Sequence, residues 1–156
     1  MILKGLIDTD FVNYKFPCMV LEFPFCSFKC DKECGKRVCQ NSTLANAPNI
    51  EINIDKIIER YVSNPITQAI CFQGLEPFDS AIEMVGLVRK FRKVTNDDIV
   101  IYTGYMEHEI KDLVDILRKY SNIIIKYGRY IPNQKSHLDE VLGVRLASNN
   151  QYAERL

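Results

Sequence analysis

Three short, predominantly apolar runs between residues 68 and 127 are each followed by a glycine. The glycines are Gly74, Gly104 and Gly128, and each run before them is six residues long. Short runs that are apolar almost throughout are typical of strands buried on both faces. The segment between the last two runs, residues 107–120, instead has its apolar residues at helical spacing. Because neighbouring parallel strands need such crossover helices, the pattern predicts a mostly parallel sheet covered by helices.

The same alternation begins earlier in the chain. Residues 18–24 predict another buried strand, and residues 53–64 predict a helix that ends before Pro65. Ser80, followed three residues later by Glu83, predicts a capping box at the start of the next helix. After an irregular stretch, residues 143–147 predict a last short strand. We therefore expect an α/β fold in which the sheet forms an open partial (βα) barrel.

The composition restricts the class of protein. The 156 residues are 47% apolar, which is enough for one core, so we expect a single domain spanning residues 1–156. The 20 basic and 20 acidic side chains balance, which argues against broad electrostatic binding of nucleic acid. No apolar run approaches the roughly 20 residues that span a bilayer, and the first ten residues lack an export-signal pattern. We expect a cytoplasmic protein without nucleic-acid or membrane partners.

Four of the six cysteines fall within one fourteen-residue segment, at Cys26, Cys30, Cys34 and Cys39. The segment has neither helical nor strand periodicity. Crowded thiols in a reducing compartment are more often metal ligands or redox groups than disulfides. Soft thiolates at these intervals suit one iron–sulfur cluster or one metal ion. Structural zinc sites favour cysteine pairs two residues apart, which this chain lacks, so the spacing favours iron–sulfur and leaves zinc or no metal open.

The cysteine segment resembles the cluster motif of the radical S-adenosylmethionine (SAM) superfamily. Cys26-Ser27-Phe28-Lys29-Cys30, followed by Cys39-Gln40-Asn41, is similar to the motif whose three cysteines bind three irons of a [4Fe–4S] cluster. In that superfamily SAM chelates the fourth iron, and its reductive cleavage gives a 5′-deoxyadenosyl radical. The resemblance implies a [4Fe–4S] cluster and SAM as cofactors, and a partial barrel of the radical SAM type.

The identity of the third cysteine ligand is not decided by the motif, because either Cys34 or Cys39 could serve. The superfamily commonly has two residues between its second and third cysteines, whereas this chain has three if Cys34 is used and eight if Cys39 is used. Gln40-Asn41 is similar to the polar residue and Asn that follow the last cysteine of the resembling family. We expect Cys26, Cys30 and Cys39 to be the ligands, with Cys34 as the alternative third ligand.

A second motif, Gln73-Gly74-Leu75-Glu76-Pro77, resembles the Gly-Gly-Glu-Pro segment that contacts the SAM amino group. Glu76 offers a carboxylate to an ammonium, and Gly74 allows close approach of the backbone. Ligands of parallel sheets bind at the carboxyl ends of the strands, which adds the end of the next strand to this site. The implied cofactor-binding residues are Gly74, Leu75, Glu76, Thr103, Gly104 and Tyr105.

Further motifs resemble the activating component of anaerobic, class III, ribonucleotide reductase. They are Ile101-Tyr102-Thr103-Gly104-Tyr105, Gly128-Arg129-Tyr130-Ile131 and residues 146–151, in the order of that family. The resemblance implies a radical SAM oxidoreductase that abstracts a hydrogen atom from a glycine of a protein such as anaerobic ribonucleotide reductase. A flavodoxin-type or ferredoxin-type protein would donate the electron. One departure is Tyr127, after Lys126, where the family has an Asp before its glycine.

Two alternatives remain open. In the first, the same SAM chemistry acts on a peptide or a small molecule. In the second, the cysteines bind zinc and stabilise an interaction domain that has no catalytic role.

Overall fold

The computed structural model describes all 156 residues, which form ten strands and five helices. The strands are β1 (Ile2–Leu3), β2 (Gly5–Asp10), β3 (Cys18–Phe23), β4 (Ile50–Glu51), β5 (Ala69–Gly74), β6 (Asp98–Tyr102), β7 (Ile123–Tyr127), β8 (His137–Asp139), β9 (Val144–Leu146) and β10 (Tyr152–Arg155). The helices are α1 (Lys29–Cys34), α2 (Ser42–Asn46), α3 (Ile54–Val62), α4 (Ala81–Phe91) and α5 (Lys111–Leu117). Short 3₁₀ turns cover Pro77–Ser80 and Glu107–Glu109.

Six strands form one sheet in the order β10, β7, β6, β5, β3, β2. The four inner strands run parallel, and β2 and β10 pair antiparallel at the two edges. The sheet is therefore mostly parallel, and the carboxyl ends of its four inner strands lie along one edge. No pairing joins the two outer strands. Curvature of this sheet into an open partial (βα) barrel stays a prediction.

Both faces of the inner strands are buried, as the apolar runs predict. Alternate residues such as Leu21 and Phe72 belong to a large core that also contains Met84 and Leu87 of α4. The intervening residues, including Cys71, face a smaller core on the other side of the sheet. That second face is covered by residues from loops and by β9. The longest helix, α4, has 11 residues, and none of the helices has the length and apolar character needed to cross a bilayer.

The expected capping box at Ser80 is wrong. Ser80 does precede α4 with a non-helical backbone, but its hydroxyl accepts no hydrogen bond from the first turn of the helix and has no partner; it also ends a 3₁₀ turn formed by Pro77–Ser80. The cap lies four residues earlier, where the Glu76 carboxylate accepts a hydrogen bond from the Phe78 backbone N–H at 3.2 Å. Glu76, which we expect to bind the cofactor, therefore also caps the start of this 3₁₀ turn.

The C-terminal strands differ from the expectation. Residues Val144–Leu146 do form a strand, but it pairs with β8 in a separate two-stranded sheet. The last strand of the main sheet is β10, whose hydrogen bonds to β7 could not be read from its short and polar sequence. The cysteine segment also contains α1, although its sequence shows no helical periodicity.

Candidate cluster and ligand site

A cavity of about 370 Å³ lies at the carboxyl ends of the parallel strands. This edge is where open α/β sheets bind ligands, and the volume falls within the range of small-molecule pockets. Segments that follow β3, β5, β6 and β7 all contribute to its wall. All six residues expected to bind the cofactor line it, namely Gly74, Leu75, Glu76, Thr103, Gly104 and Tyr105.

Three of the four clustered cysteines line the same cavity. These are Cys26, Cys30 and Cys39, whereas Cys34 lines a neighbouring cavity beside Cys30 and Arg129. Thiolates are the donors that bind iron–sulfur clusters, so this donor set fits a cluster placed against the cavity. The structure has no group of three or more His, Cys, Asp and Glu side chains arranged to hold a single metal ion.

Asp31 holds Cys39 next to α1. Its carboxylate accepts hydrogen bonds from the backbone N–H groups of Val38 at 2.7 Å and Cys39 at 2.8 Å. The chain after α1 therefore turns back toward the helix, and Cys39 lies beside Cys30. Burial raises the pKa of the Cys30 thiol, and the neighbouring Cys39 thiolate raises it further. Burial is also the main cause that raises the pKa of Cys26 to about 12, so iron binding must displace protons from these thiols.

Hydrogen bonds join the cysteine segment to the segment after β5. The Asn41 side-chain amide donates to the Gly74 carbonyl at 2.7 Å, and the Glu76 N–H donates to the Phe25 carbonyl at 2.8 Å. The Ser27 N–H donates to the Asp79 carboxylate at 2.6 Å. These bonds fix the thiols relative to the strand end that contains Glu76.

Glu76 is buried and accepts three hydrogen bonds. Besides the Phe78 N–H, the Thr103 hydroxyl and the Gly104 N–H each donate to its carboxylate at 2.8 Å. Thr103 and Gly104 therefore position the carboxylate in addition to lining the cavity. Burial raises the pKa of Glu76 to about 7, although these three donors oppose the shift.

Tyr105 connects the same strand end to the cysteine segment. Its hydroxyl donates to the Asp79 carboxylate at 2.6 Å, and the Lys29 ammonium lies 4.4 Å from the centre of its ring. The Lys29 ammonium also forms an ion pair with Glu109 at 3.3 Å. The wall of the cavity is therefore fixed by contacts between three separate loops.

The raised pKa of Glu76 gives a testable dependence of stability on pH. The carboxyl titrates near 4.5 when unfolded and near 7 when folded, so the folded state retains its proton between these values. The free energy of unfolding should therefore fall by about 3 kcal/mol as the pH rises from 4.5 to 7. Urea unfolding of the metal-free protein across this range measures the change. In Glu76→Gln this contribution should be absent, and an equal slope in both proteins would contradict the assignment.

Sequence reasoning did not identify Lys126 as a residue of the site. Lys126 lies at the end of β7, lines the cavity and is only 7% exposed. The available signal was a single lysine within an otherwise apolar run, since lysine is almost never fully buried without a partner.

Three thiols lie at the ligand-binding edge of the parallel sheet, and thiolates are the donors that bind iron–sulfur clusters. The family model of a 4Fe-4S single cluster domain matches residues 18–152, which is most of the chain. The protein therefore belongs to the 4Fe-4S single cluster domain family, and the expected [4Fe–4S] cluster is its cofactor. No curated protein and no solved structure matches the chain.

The match corrects the family suggested by the short motifs. It is to a 4Fe-4S single cluster domain and not to a radical SAM family, so the assignment to that superfamily and to the reductase-activating component was wrong. The quoted motifs are only a few residues long. Any chain that has a cysteine-rich loop, then a strand followed by glycine, and then a helix matches most of these motifs, whichever family it belongs to.

Proposed function

We propose that this domain binds SAM in the cavity beside its cluster and cleaves the SAM reductively. The observation behind the proposal is that Cys26, Cys30 and Cys39 line the cavity together with Glu76, while Cys34 does not. Three cysteine ligands leave one iron of a [4Fe–4S] cluster without a protein sulfur. That iron would face the cavity, in which a small molecule has room to bind.

The residues around the cavity would bind and orient the ligand. A cluster with a free iron, when bound, supplies a coordination position and an electron for breaking the sulfonium bond of SAM. The Glu76 carboxylate favours a positively charged group, such as the SAM ammonium, and its three hydrogen bonds hold it in place. Asn41 and Asp31 keep the cysteine segment at the edge of the cavity.

We also propose that a second substrate donates a hydrogen atom after SAM cleavage. The candidates are a glycine of a protein such as anaerobic ribonucleotide reductase, and a peptide or small molecule. A flavodoxin-type or ferredoxin-type donor would supply the electron. In support, α1 contains Cys30 and Cys34 but no buried residue, so a cluster bound there would lie near the protein surface.

The direct test uses anaerobically reconstituted protein, reduced with dithionite and incubated with SAM. We expect methionine and 5′-deoxyadenosine to form in equal amounts, with a buffer component or dithionite supplying the hydrogen atom in the absence of a second substrate, and neither to form without the reductant. Glu76→Gln should retain its iron and sulfide but give markedly less product at low SAM concentration, because it removes the negative charge while its amide oxygen still accepts from the Phe78 N–H and the Thr103 hydroxyl. Failure of the fully loaded protein to form 5′-deoxyadenosine would contradict the proposal.

A further inference from the structure

The cationic side chains of the cavity fall into two groups. Lys29 and Arg129 both form ion pairs with Glu109, at 3.3 and 2.5 Å. Arg129 also pairs with Glu33 at 3.2 Å, so two carboxylates compensate these two charges. Lys126 and Arg145 line the same cavity, and neither forms an ion pair with any carboxylate of the chain. The cavity is therefore lined by two cationic side chains that have no ion-pair partner within the protein.

The Lys126 ammonium has donors to spare. It donates to the Gly128 carbonyl at 2.8 Å, and this is its only hydrogen bond within the protein. An ammonium has three N–H donors, so two remain without a protein acceptor. Burying a charge without a counter-ion is costly. Burial lowers the pKa of Lys126 to about 8, and the Glu76 carboxylate partly offsets this shift.

Lys126 belongs to β7, whereas the cysteine segment follows β3, and β5 and β6 lie between these strands. The cysteine segment nevertheless extends across the strand ends, since Glu33 of α1 forms an ion pair with Arg129 at 3.2 Å. Arg145 of β9 also lines the cavity. Its guanidinium donates a hydrogen bond to the Ser136 carbonyl at 3.3 Å.

We propose that Lys126 and Arg145 bind an anionic group, a carboxylate or a phosphate, of the second substrate. The anion would provide the counter-charge for Lys126, next to the Glu76 carboxylate that we propose binds the SAM ammonium. The identity of the ligand as a second substrate rests on the proposed function. Binding of the anion does not require SAM cleavage and is tested without it.

The test uses cluster-loaded protein labelled with ¹³C at the lysine ε-carbon, with acetate and inorganic phosphate as probes. The Lys126 resonance is identified by its absence from Lys126→Met. We expect a saturable shift of this resonance with one of the two anions, with a dissociation constant in the millimolar range that is usual for so small a ligand. Acetate and phosphate distinguish a carboxylate site from a phosphate site. Chloride at matched ionic strength controls for screening.

Two further variants make the result specific. Arg145→Gln, a change at an exposed side chain, should weaken anion binding by about threefold. Lys111→Met, in α5 and away from the cavity, should leave it unchanged. No saturable shift with either anion would overturn the site. Displacement of the bound anion by SAM would also overturn the assignment, because the site would then bind the carboxylate of SAM. A failure to cleave SAM would leave the anion titration unaffected, so the two proposals fail separately.

Discussion

Cys39→Ser should lose most of its iron after anaerobic reconstitution, whereas Cys34→Ser should retain about four irons and four sulfides per chain. Cys39 lines the cavity with Cys26 and Cys30, and Asp31 holds its backbone in place. Serine removes the soft sulfur donor but changes the size of the side chain little. Cys34 lies in the same segment, yet it lines a different cavity. The pair therefore compares two cysteines of similar exposure and different position.

Iron and sulfide analysis together with the visible absorption spectrum measures the outcome. Loss of the cluster from Cys34→Ser and its retention in Cys39→Ser would reverse the ligand assignment. Zinc near one equivalent, with no sulfide in anaerobically purified protein, would instead support the structural zinc alternative.

Gly74→Ala should destabilise the fold by about 2 to 4 kcal/mol. Gly74 has a φ of +97° and pairs with Phe23 across the parallel strands β3 and β5. A Cβ at this position would lie 2.7 Å from the Phe23 backbone nitrogen and 2.8 Å from the Glu22 Cα. Backbone atoms in the centre of a sheet cannot move away as a flexible side chain would. Since Asn41 donates to the Gly74 carbonyl, the variant should also load less cluster.

Gly86→Ala is the matched control. Gly86 lies within α4, and a Cβ there would meet no other heavy atom within 4 Å. Alanine in a helix interior is favoured over glycine by roughly 0.5 to 1 kcal/mol, so this variant should be slightly more stable than the parent. Urea unfolding of both variants at one pH makes the comparison. Equal stabilities of Gly74→Ala and the parent would contradict the described backbone conformation.

The inner strands and the main helices could be predicted because burial determines their sequences. Strands buried on both faces must be apolar throughout, and the helix Ile54–Val62 must place one apolar stripe on the sheet. The edge strand Gly5–Asp10 was missed because it is largely exposed and its residues, GLIDTD, have no clear pattern. Its place depends on pairing with β3, which is a tertiary contact.

The site was predictable in its positions and less so in its contacts. The cysteines were identified by their clustering, and Glu76 by the resemblance of residues 73–77 to a SAM-binding motif after a predicted strand; their roles as ligands stay predictions. Their hydrogen bonds to Asp31, Thr103 and Gly104 depend on how loops distant in sequence meet, which no local pattern records. The family was misassigned for a related reason, because short motifs describe local turns more than the whole domain.

We have proposed that one iron of the cluster is free to bind SAM beside Glu76, and magnetic resonance spectroscopy of the reduced cluster can detect this binding. Protein reduced under anaerobic conditions is mixed with SAM that contains ¹⁵N in its amino group, and the spectrum is searched for coupling between this nitrogen and the cluster. We predict such coupling in the parent protein and equally in Cys34→Ser. A cluster signal that SAM leaves unchanged in both proteins would contradict the claim.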